Sequence, residues 1–561
     1  MKYPLIGDND FQKKIAKIFK KYKIIKNKTF NEYCFSKVSE QNLQNSQSFV
    51  KHYIHPDTKY KSLLIMHGLG SGKTCAGISI TENFIGKKNI ILVTQSSLLG
   101  NYYKELIFPT CSGYKYITKK EHEDIQKYNP QSKEYNKIID DVYDRINKVY
   151  MILSYNKFVS NIKNNKINNN FLKNCVIVID EVQNIVSEKG SYYKIIKEMI
   201  DNSPDELRII LLSATPIFDK PVELGLTFNL LKPKEELPIK EFNDTFINID
   251  KKMNYDIKNK DELKDKMIGY ISYYKGAPSY TYPERINKII KCPMSNYQYE
   301  CYKTVEKSHG GISNSNDIFK LPNNFLLGLR MISNISFPNK MANQKGYDML
   351  SKTHMKLENL NNYSCKMAKL MDKLINKSGL HFVYSNFRKY GGLQTVIKLL
   401  DNYGFKNYLE HGIGKNRYAI WSGDEKLKDK NLIRNVFNHK DNYNGSQIKI
   451  ILGSPAIKEG VTLLRVKYVH VLEPYWNMSR YEQVIGRAIR FCSHKDLPIE
   501  KRFVKVFLYI STIPDKIKNK IKLVDEHIYD MALKKQKIIE KFENILKDAS
   551  IDKYLFEKAN K

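Results

Sequence analysis

Among the eight cysteines of this chain there is no C-x-x-C pair and no regular spacing, which argues against a zinc finger. Cys75 directly follows Thr74 of a glycine-rich loop, where a disulfide is awkward, so the pattern predicts reduced thiols and an intracellular protein. No apolar run approaches the ~18 residues that a membrane helix needs. The opening stretch, MKYPLIGDNDFQKK, lacks the apolar centre of a secretory signal. A cytosolic or nuclear protein with no membrane anchor is expected. Acidic residues are scarce beside basic ones: 59 Asp and Glu against 93 Lys and Arg leave a formal net charge of +34. That excess favours a polyanionic partner, nucleic acid first and an acidic membrane surface second. A compositional bias toward lysine and asparagine, plain in NIKNNKINNN (161–170), is the competing explanation.

The length of 561 residues allows about three or four domains of ~150 residues each. Between residues 45 and 235, short apolar runs alternate with longer mixed segments. The runs are KSLLIM (61–66), NIILVT (89–94), VYMILS (149–154), CVIVID (175–180) and RIILLS (208–213). Runs without polar alternation suit strands covered on both faces, so a parallel α/β sheet is expected. A second set begins near 365, with LHFVYSNF (380–387), YAIWSG (418–423), KIILGS (449–454), VKYVHVLE (466–473) and VKVFLYIS (504–511). In such sheets ligands collect at the carboxyl ends of the strands.

The first of these strands runs into HGLGSGKT (67–74). His67 stands where the phosphate loop G-x-x-x-x-G-K-[ST] has its first glycine. Gly68, Gly70 and Gly72 still permit the tight turn that aims backbone N–H groups at phosphate oxygens, and the following helix adds its positive dipole end. His67, Gly68, Leu69, Gly70, Ser71, Gly72, Lys73 and Thr74 are therefore the candidate nucleotide-binding residues, with Lys73 reaching the β- and γ-phosphates and Thr74 ligating magnesium. VIVIDEVQ (176–183) ends a strand in two carboxylates. Asp180 suits a magnesium ion held through water, and Glu181 suits the orientation and deprotonation of an attacking water. At the next strand end, in LLSATPIF (211–218), Ser213 and Thr215 flank Ala214 and are candidates to sense the γ-phosphate; a plain strand–turn junction is the alternative. Gln47, 20 residues before His67, offers an amide able to read an adenine edge, or is simply a surface glutamine. In RYEQVIGRAIRFCSH (480–494), Gln483, Arg487 and Arg490 follow the spacing Q-x-x-G-R-x-x-R. One helical turn separates the arginines, so both point at one anion as arginine fingers or lie on a solvated face.

The ordered set HGLGSGKT, DEVQ, SAT, GSPAIKEGVTL and QVIGRAIR resembles a superfamily 2 helicase, and the match covers about 45–235 and 365–515. The flanks QSFVKHYIHPDTKYKSLLIM, YISYYKGAPSYTYPE and VDEHIYDMALKKQKIIEKFENILKDASID are similar to a narrower group. It comprises the nucleoside triphosphatase I and early transcription factor small-subunit helicases of poxviruses, other large cytoplasmic DNA viruses and cytoplasmic linear plasmids. The resemblance implies two tandem RecA-like domains and hydrolysis of ATP or dATP with Mg2+, stimulated by DNA or RNA. It also implies work with a DNA-dependent RNA polymerase at the start or end of transcripts, in a cytoplasmic factory or a virion. By position, it makes Asp180 and Glu181 the carboxylate pair, and Gln183, where many relatives have His or Asp, the residue coupling hydrolysis to Ser213, Ala214 and Thr215. It also places Gly460 on the ribose or nucleic-acid side and Arg487 and Arg490 as completing residues. Three functions remain in view: a motor that unwinds or translocates, an ATP-switched transcription factor without strand separation, and a binding protein with an inactive ATPase core.

The expected domains are a basic arm at 1–44, an ATP-binding domain at 45–235, a linker or helical insertion at 236–360, a second RecA-like domain at 361–515 and a helical tail at 516–561. YISYYKG, in the insertion, reads as core at a domain seam more readily than as a base-stacking surface. The tail has an apolar stripe at Ile528, Met531, Ala532, Ile538, Ile539, Phe542, Ile545 and Leu546, and packing onto the second domain is the expectation. Strand-contacting residues are expected around 94–98, 154–158 and 384–387, by analogy.

Overall fold

The apolar runs of the first set all become parallel strands, since an unbroken series of branched side chains fills both faces of a covered sheet. They are β1 (Ser62–His67), β2 (Asn89–Thr94), β3 (Tyr150–Ser154), β4 (Cys175–Asp180) and β5 (Arg208–Ser213). Both β1 and β4 are buried along their whole length. A sixth strand, β6 (Ile271–Tyr274), completes a parallel sheet in the order β3-β2-β4-β5-β1-β6. The computed structural model describes residues 3–25, 28–35, 43–68, 70–128, 132–250, 255–308, 326–340, 343–458, 461–517 and 521–560.

A second parallel sheet contains β7 (Glu284–Pro293), β8 (Leu380–Tyr384), β9 (Lys406–Asn407), β10 (Arg417–Trp421), β11 (Ile450–Gly453), β12 (Val466–Val471) and β13 (Phe503–Thr512). Its order is β9-β10-β11-β8-β12-β13-β7. The two sheets belong to two units, one formed by Met1–Pro278 with Lys537–Lys561 and the other by Ser279–Gln536. Around them lie, among other helices, α1 (Phe11–Ile18), α2 (Asn45–Tyr53), α3 (Lys73–Thr81), α4 (Pro109–Ser112), α5 (Met478–Ile485), α6 (Val524–Ala549) and α7 (Lys553–Asn560). The fold is therefore α/β, with two RecA-like sheets in tandem.

The divisions of the chain differ from those expected. The 236–360 segment is not a linker: it supplies an edge strand to each sheet, β6 to the first and β7 to the second. In β6, Ile271, Ser272 and Tyr274 are buried, as the core reading of YISYYKG requires. The sequence of β7, ERINKIIKCP, hid its nature because an edge strand keeps charged side chains along its open side. It nonetheless pairs with β13 in continuous register from Glu284↔Phe503 to Pro293↔Thr512. The 1–44 stretch is not a free arm either. Phe11 and Ile15 of α1 join the first unit's core, and the Gln12 amide donates to the Ser550 carbonyl at 2.6 Å.

The tail packs on the second unit only in part. Ile528 and Met531 of α6 enter that unit's core. From Lys537 onward the chain belongs to the first unit, where Phe542 meets Phe242 with ring centroids 5.9 Å apart and Leu555 and Phe556 of α7 are buried.

Within the second unit, Lys366 and Asp525 form an ion pair whose side chains are 0% and 1% exposed. Lys366 also donates to Asn334 Oδ1 at 2.9 Å, and Asp525 accepts the Ser511 N–H and hydroxyl at 2.9 and 2.8 Å. Removing the cation leaves a buried, uncompensated carboxylate. Lys366→Met should lower the unfolding free energy by about 3–5 kcal/mol, read by denaturant titration; an unchanged midpoint would show that the pair is not sealed from water.

Candidate nucleotide site

Nothing is lost by having histidine at the head of the loop, because His67 is the last residue of β1 rather than part of the turn. The turn itself lies further on. Gly70 and Gly72 take φ values of 73° and 72°, left-handed conformations natural to glycine. Gly68 approaches the end of β6 so closely that a Cβ would lie 2.1 Å from the Lys275 carbonyl oxygen. α3 begins at Lys73, which presents its first N–H groups and positive dipole end to the loop. Ser71 Oγ is buried without a partner among the described residues, and Leu69 lies outside them. His67 is fully buried, with Nε2 2.8 Å from Ser272 Oγ. Burial, and after it the charge of Lys73, lowers the imidazole to about 3, so the ring is neutral.

Gln47, on α2, meets the loop rather than facing away from it. Its amide nitrogen donates to the Gly72 carbonyl at 3.1 Å, and its amide oxygen accepts the Gln44 N–H at 2.9 Å. The amide nitrogen thus braces the phosphate loop and the amide oxygen the start of α2, each with one hydrogen or lone pair left over.

The two carboxylates follow β4. Asp180 is 6% exposed, and its Oδ1 accepts the Glu181 N–H at 2.9 Å. Burial first, then the Glu181 charge, pushes the Asp180 carboxyl up to about 7 against the opposite pull of Lys73. Glu181 turns out of the strand with φ 51°. The donor set suits magnesium, since Thr74 and Asp180 supply hard oxygen atoms and a cation beside Asp180 would restore the charge that burial disfavours.

From Glu181 a hydrogen-bonded line runs to the next strand end. The Gln183 amide nitrogen donates to Glu181 Oε2 at 2.5 Å, and its oxygen accepts the Ser213 hydroxyl at 2.7 Å. Ser213 Oγ in turn accepts the Thr215 N–H at 3.0 Å. Ala214 lies within this turn, between the two hydroxyl residues. Sequence reasoning missed one support of this arrangement. Tyr155, in a stretch expected to touch a nucleic-acid strand, is buried and donates its hydroxyl to the carbonyls of Asp180 and Glu181, at 2.5 and 3.1 Å. No motif marks it.

Two further expectations need correction. Arg487 and Arg490 are not on a helix: α5 ends at Ile485. Past Gly486, Arg487 sits on a turn closed by the Ala488 N–H to the Ile485 carbonyl at 3.0 Å, and the Arg490 N–H donates to Ser493 Oγ at 3.3 Å. Leu463 N–H holds the Arg487 carbonyl at 2.9 Å. Gln483 remains on α5, half-buried, and α5 is fixed to β7 by Arg285, whose Nη1 and Nη2 reach the Glu482 carboxylate at 2.6 and 2.9 Å. Gly460 lies outside the described residues. Cys75 is not a free thiol: its Sγ is bonded to that of Cys111, with Cα atoms 5.2 Å apart. Adjacency to Thr74 is no obstacle, since successive helical residues point about 100° apart and the first turn of α3 packs on α4.

Residues 44–364 match the model of the SNF2-related domain, and residues 365–492 that of the helicase conserved C-terminal domain. The chain is 44% identical, over its whole length and 97% of the relative, to a provisionally named ATP-dependent RNA helicase of Acanthamoeba polyphaga mimivirus. It is 26% identical to a termination factor NPH-I homolog of African swine fever virus, over 88% of this chain and 76% of that one. Among solved structures it is similar to the Pyrococcus furiosus Hef helicase domain, at 14% identity and a TM-score of 0.42, over 86% of this chain and 96% of that one.

The close packing of Gly68 generates a direct test. In Gly68→Ala the added methyl meets a backbone carbonyl that no rotamer change can move aside, so the loop must shift. ATP turnover should fall by about a hundredfold, the usual consequence of misplacing a reacting group by ~1 Å. Steady-state phosphate release measures it, and turnover near that of the unmodified chain would show that the loop's entry is not critical.

Proposed function

The chain belongs to the SNF2-related helicases of superfamily 2 and is a nucleic-acid-dependent ATPase, and on that premise we propose that it uses ATP or dATP to move along DNA or RNA. The observation that carries this reading is the line Glu181–Gln183–Ser213–Thr215. It ties the carboxylate that would handle the attacking water to a strand end suited to transmit the state of the phosphate. Lys73 binds the β- and γ-phosphates, and Thr74 and Asp180 are the residues to hold Mg2+, which when bound neutralises phosphate charge. Glu181 orients the water and takes its proton. Arg487 and Arg490 act as arginine fingers, with Gln483 beside them in sequence, and Gly460 serves the ribose or nucleic-acid side. The basic excess of the chain supports a phosphate-backbone track, which positions a strand without reading its sequence.

We place this activity in transcription in the cytoplasm of a cell carrying a large DNA virus or a linear plasmid, beside a DNA-dependent RNA polymerase. The similarity to viral proteins, one of them named a termination factor homolog, supports that placement. Among the described residues no helix is long and apolar enough to cross a membrane, and no membrane partner enters the proposal.

Steady-state ATPase assays without polymer and with single-stranded DNA, double-stranded DNA or RNA test the reading, alongside strand displacement on a tailed duplex. Lys73→Ala should abolish turnover, and Glu181→Gln should retain nucleotide binding while slowing hydrolysis at least about a hundredfold. Stimulation by one polymer with displacement establishes unwinding and names the track. Stimulation without displacement makes the protein a translocase or an ATP-driven transcription switch. Normal turnover in either variant removes the assignment of the site.

A further inference from the structure

The phosphate loop is held from behind by the last residues of the chain. Asp552, fully buried, accepts the Ser272 hydroxyl on Oδ2 and the Tyr273 N–H on Oδ1, the latter at 2.9 Å. Ser272 Oγ is in turn 2.8 Å from Nε2 of His67. Around this line the same tail grips β6 by its backbone. Ile551 N–H donates to the Ile271 carbonyl at 2.8 Å, Lys275 N–H to Asn560 Oδ1 at 2.8 Å, and the Asn560 amide to the Tyr273 carbonyl at 3.3 Å. β6 then receives the start of the loop, since Gly68 N–H donates to the Tyr274 carbonyl at 2.8 Å and Gly68 abuts Lys275.

The protons in this line have a defined direction. A hydroxyl has one hydrogen to donate. With Asp552 ionised, the Ser272 proton goes to the carboxylate, so Ser272 Oγ must accept from His67 and the imidazole carries its hydrogen on Nε2. The other nitrogen, Nδ1, is then a lone-pair acceptor, and it is buried without a partner among the described residues. Lys73 is near enough for its charge to act on the ring. A ring fixed in this form presents a lone pair rather than a proton at Nδ1 and fixes the point where the strand becomes the loop.

We propose that Ser272 and Asp552 are positioning residues of the nucleotide site, holding His67 in a single neutral tautomer and orientation so that the C-terminal segment forms part of the phosphate-loop assembly. The inference rests on HGLGSGKT being the nucleotide site. Purely structural glue at this place would stabilise the fold without altering the affinity of a correctly folded site, which makes the two roles separable.

The test is equilibrium binding of a fluorescent ATP analogue with Mg2+ to the full chain, with affinity and the number of sites both measured. Burial pushes Asp552 up to about 7, so pH 8 keeps it mostly ionised. The variants are Ser272→Ala, Asp552→Asn, the two combined, and Lys73→Ala. Each single variant should raise Kd about five- to tenfold, the effect of one net hydrogen bond, with a full complement of sites. The combined variant should be no weaker than the weaker single one, because both cut the same line. A wild-type Kd in both single variants overturns the inference, as does a loss of sites with wild-type Kd in the remainder, which makes these residues structural only. Failure of the unmodified chain to bind, or undiminished binding by Lys73→Ala, removes the nucleotide-site reading itself and the inference with it.

Discussion

A carboxylate at the end of a parallel strand lies where the fold needs polarity and where burial opposes charge, and how each one is satisfied organises this molecule. Desolvation disfavours the ionised form unless hydrogen bonds or cations compensate. In the second unit two buried acids are met by several donors, though burial still holds Glu473 above the usual carboxylate range. Glu473, just past β12, accepts both the Ser385 hydroxyl at 3.1 Å and the Asn334 amide at 3.2 Å. Asp525 has Lys366 and two bonds from Ser511. These groups are locked, and they hold strand ends and the helix Val524–Ala549 in place. At Asp180, Lys73 and the Glu181 N–H oppose the desolvation, but burial and the Glu181 charge still push the carboxyl up to about 7. A raised acid at a strand end beside a phosphate loop fits the Mg2+ proposed there.

The parallel sheets were readable because buried parallel strands leave a strong mark, a short unbroken apolar run. All ten such runs are strands, with ends displaced by up to three residues. What the runs did not show were three edge strands, β6, β7 and β9. β7 is open along one side and carries lysine and glutamate, while β6 is buried but built of serine and tyrosine, so neither shows the unbroken isoleucine and valine run of the interior strands. The end of α5 was missed for another reason. Q-x-x-G-R-x-x-R has helical spacing, but spacing alone does not say that the helix stops at Ile485. Cys75–Cys111 was hidden because the packing of one short helix on another leaves no periodic trace.

The candidate site was readable to the extent that its chemistry is local. HGLGSGKT and DEVQ are contiguous, and each brings its own backbone geometry, so Lys73, Thr74, Asp180 and Glu181 could be named without knowing how the chain folds. The bracing groups could not. Tyr155 reaches the carbonyls of Asp180 and Glu181 from 25 and 26 residues away, and Asp552 reaches Ser272 from 280. Partners so distant in sequence meet only through the sheet order, which sets β6 beside β1 and leaves its outer side to the tail. A helical stripe in the tail announces a packing face but does not say what it packs against. Hence the division of that tail between units could not be anticipated from its periodicity.

Gln183 shows why a departure from a familiar motif can be chemically sound. The residue joining Glu181 to Ser213 must donate to a carboxylate, which only accepts, and must also accept from a hydroxyl. A primary amide has both capacities on one planar group, and here each is used once. An aspartate in its place would set a second negative charge against Glu181 and offer no donor, so it would need a different line of contacts. A neutral histidine could donate and accept, but with its two nitrogens at a fixed separation on a ring. The glutamine also remains neutral over the working pH range, so its two bonds do not depend on its own titration. A change in the charge or position of the Glu181 carboxylate would be felt at Ser213 through one rigid group, and at the Thr215 backbone one bond further on.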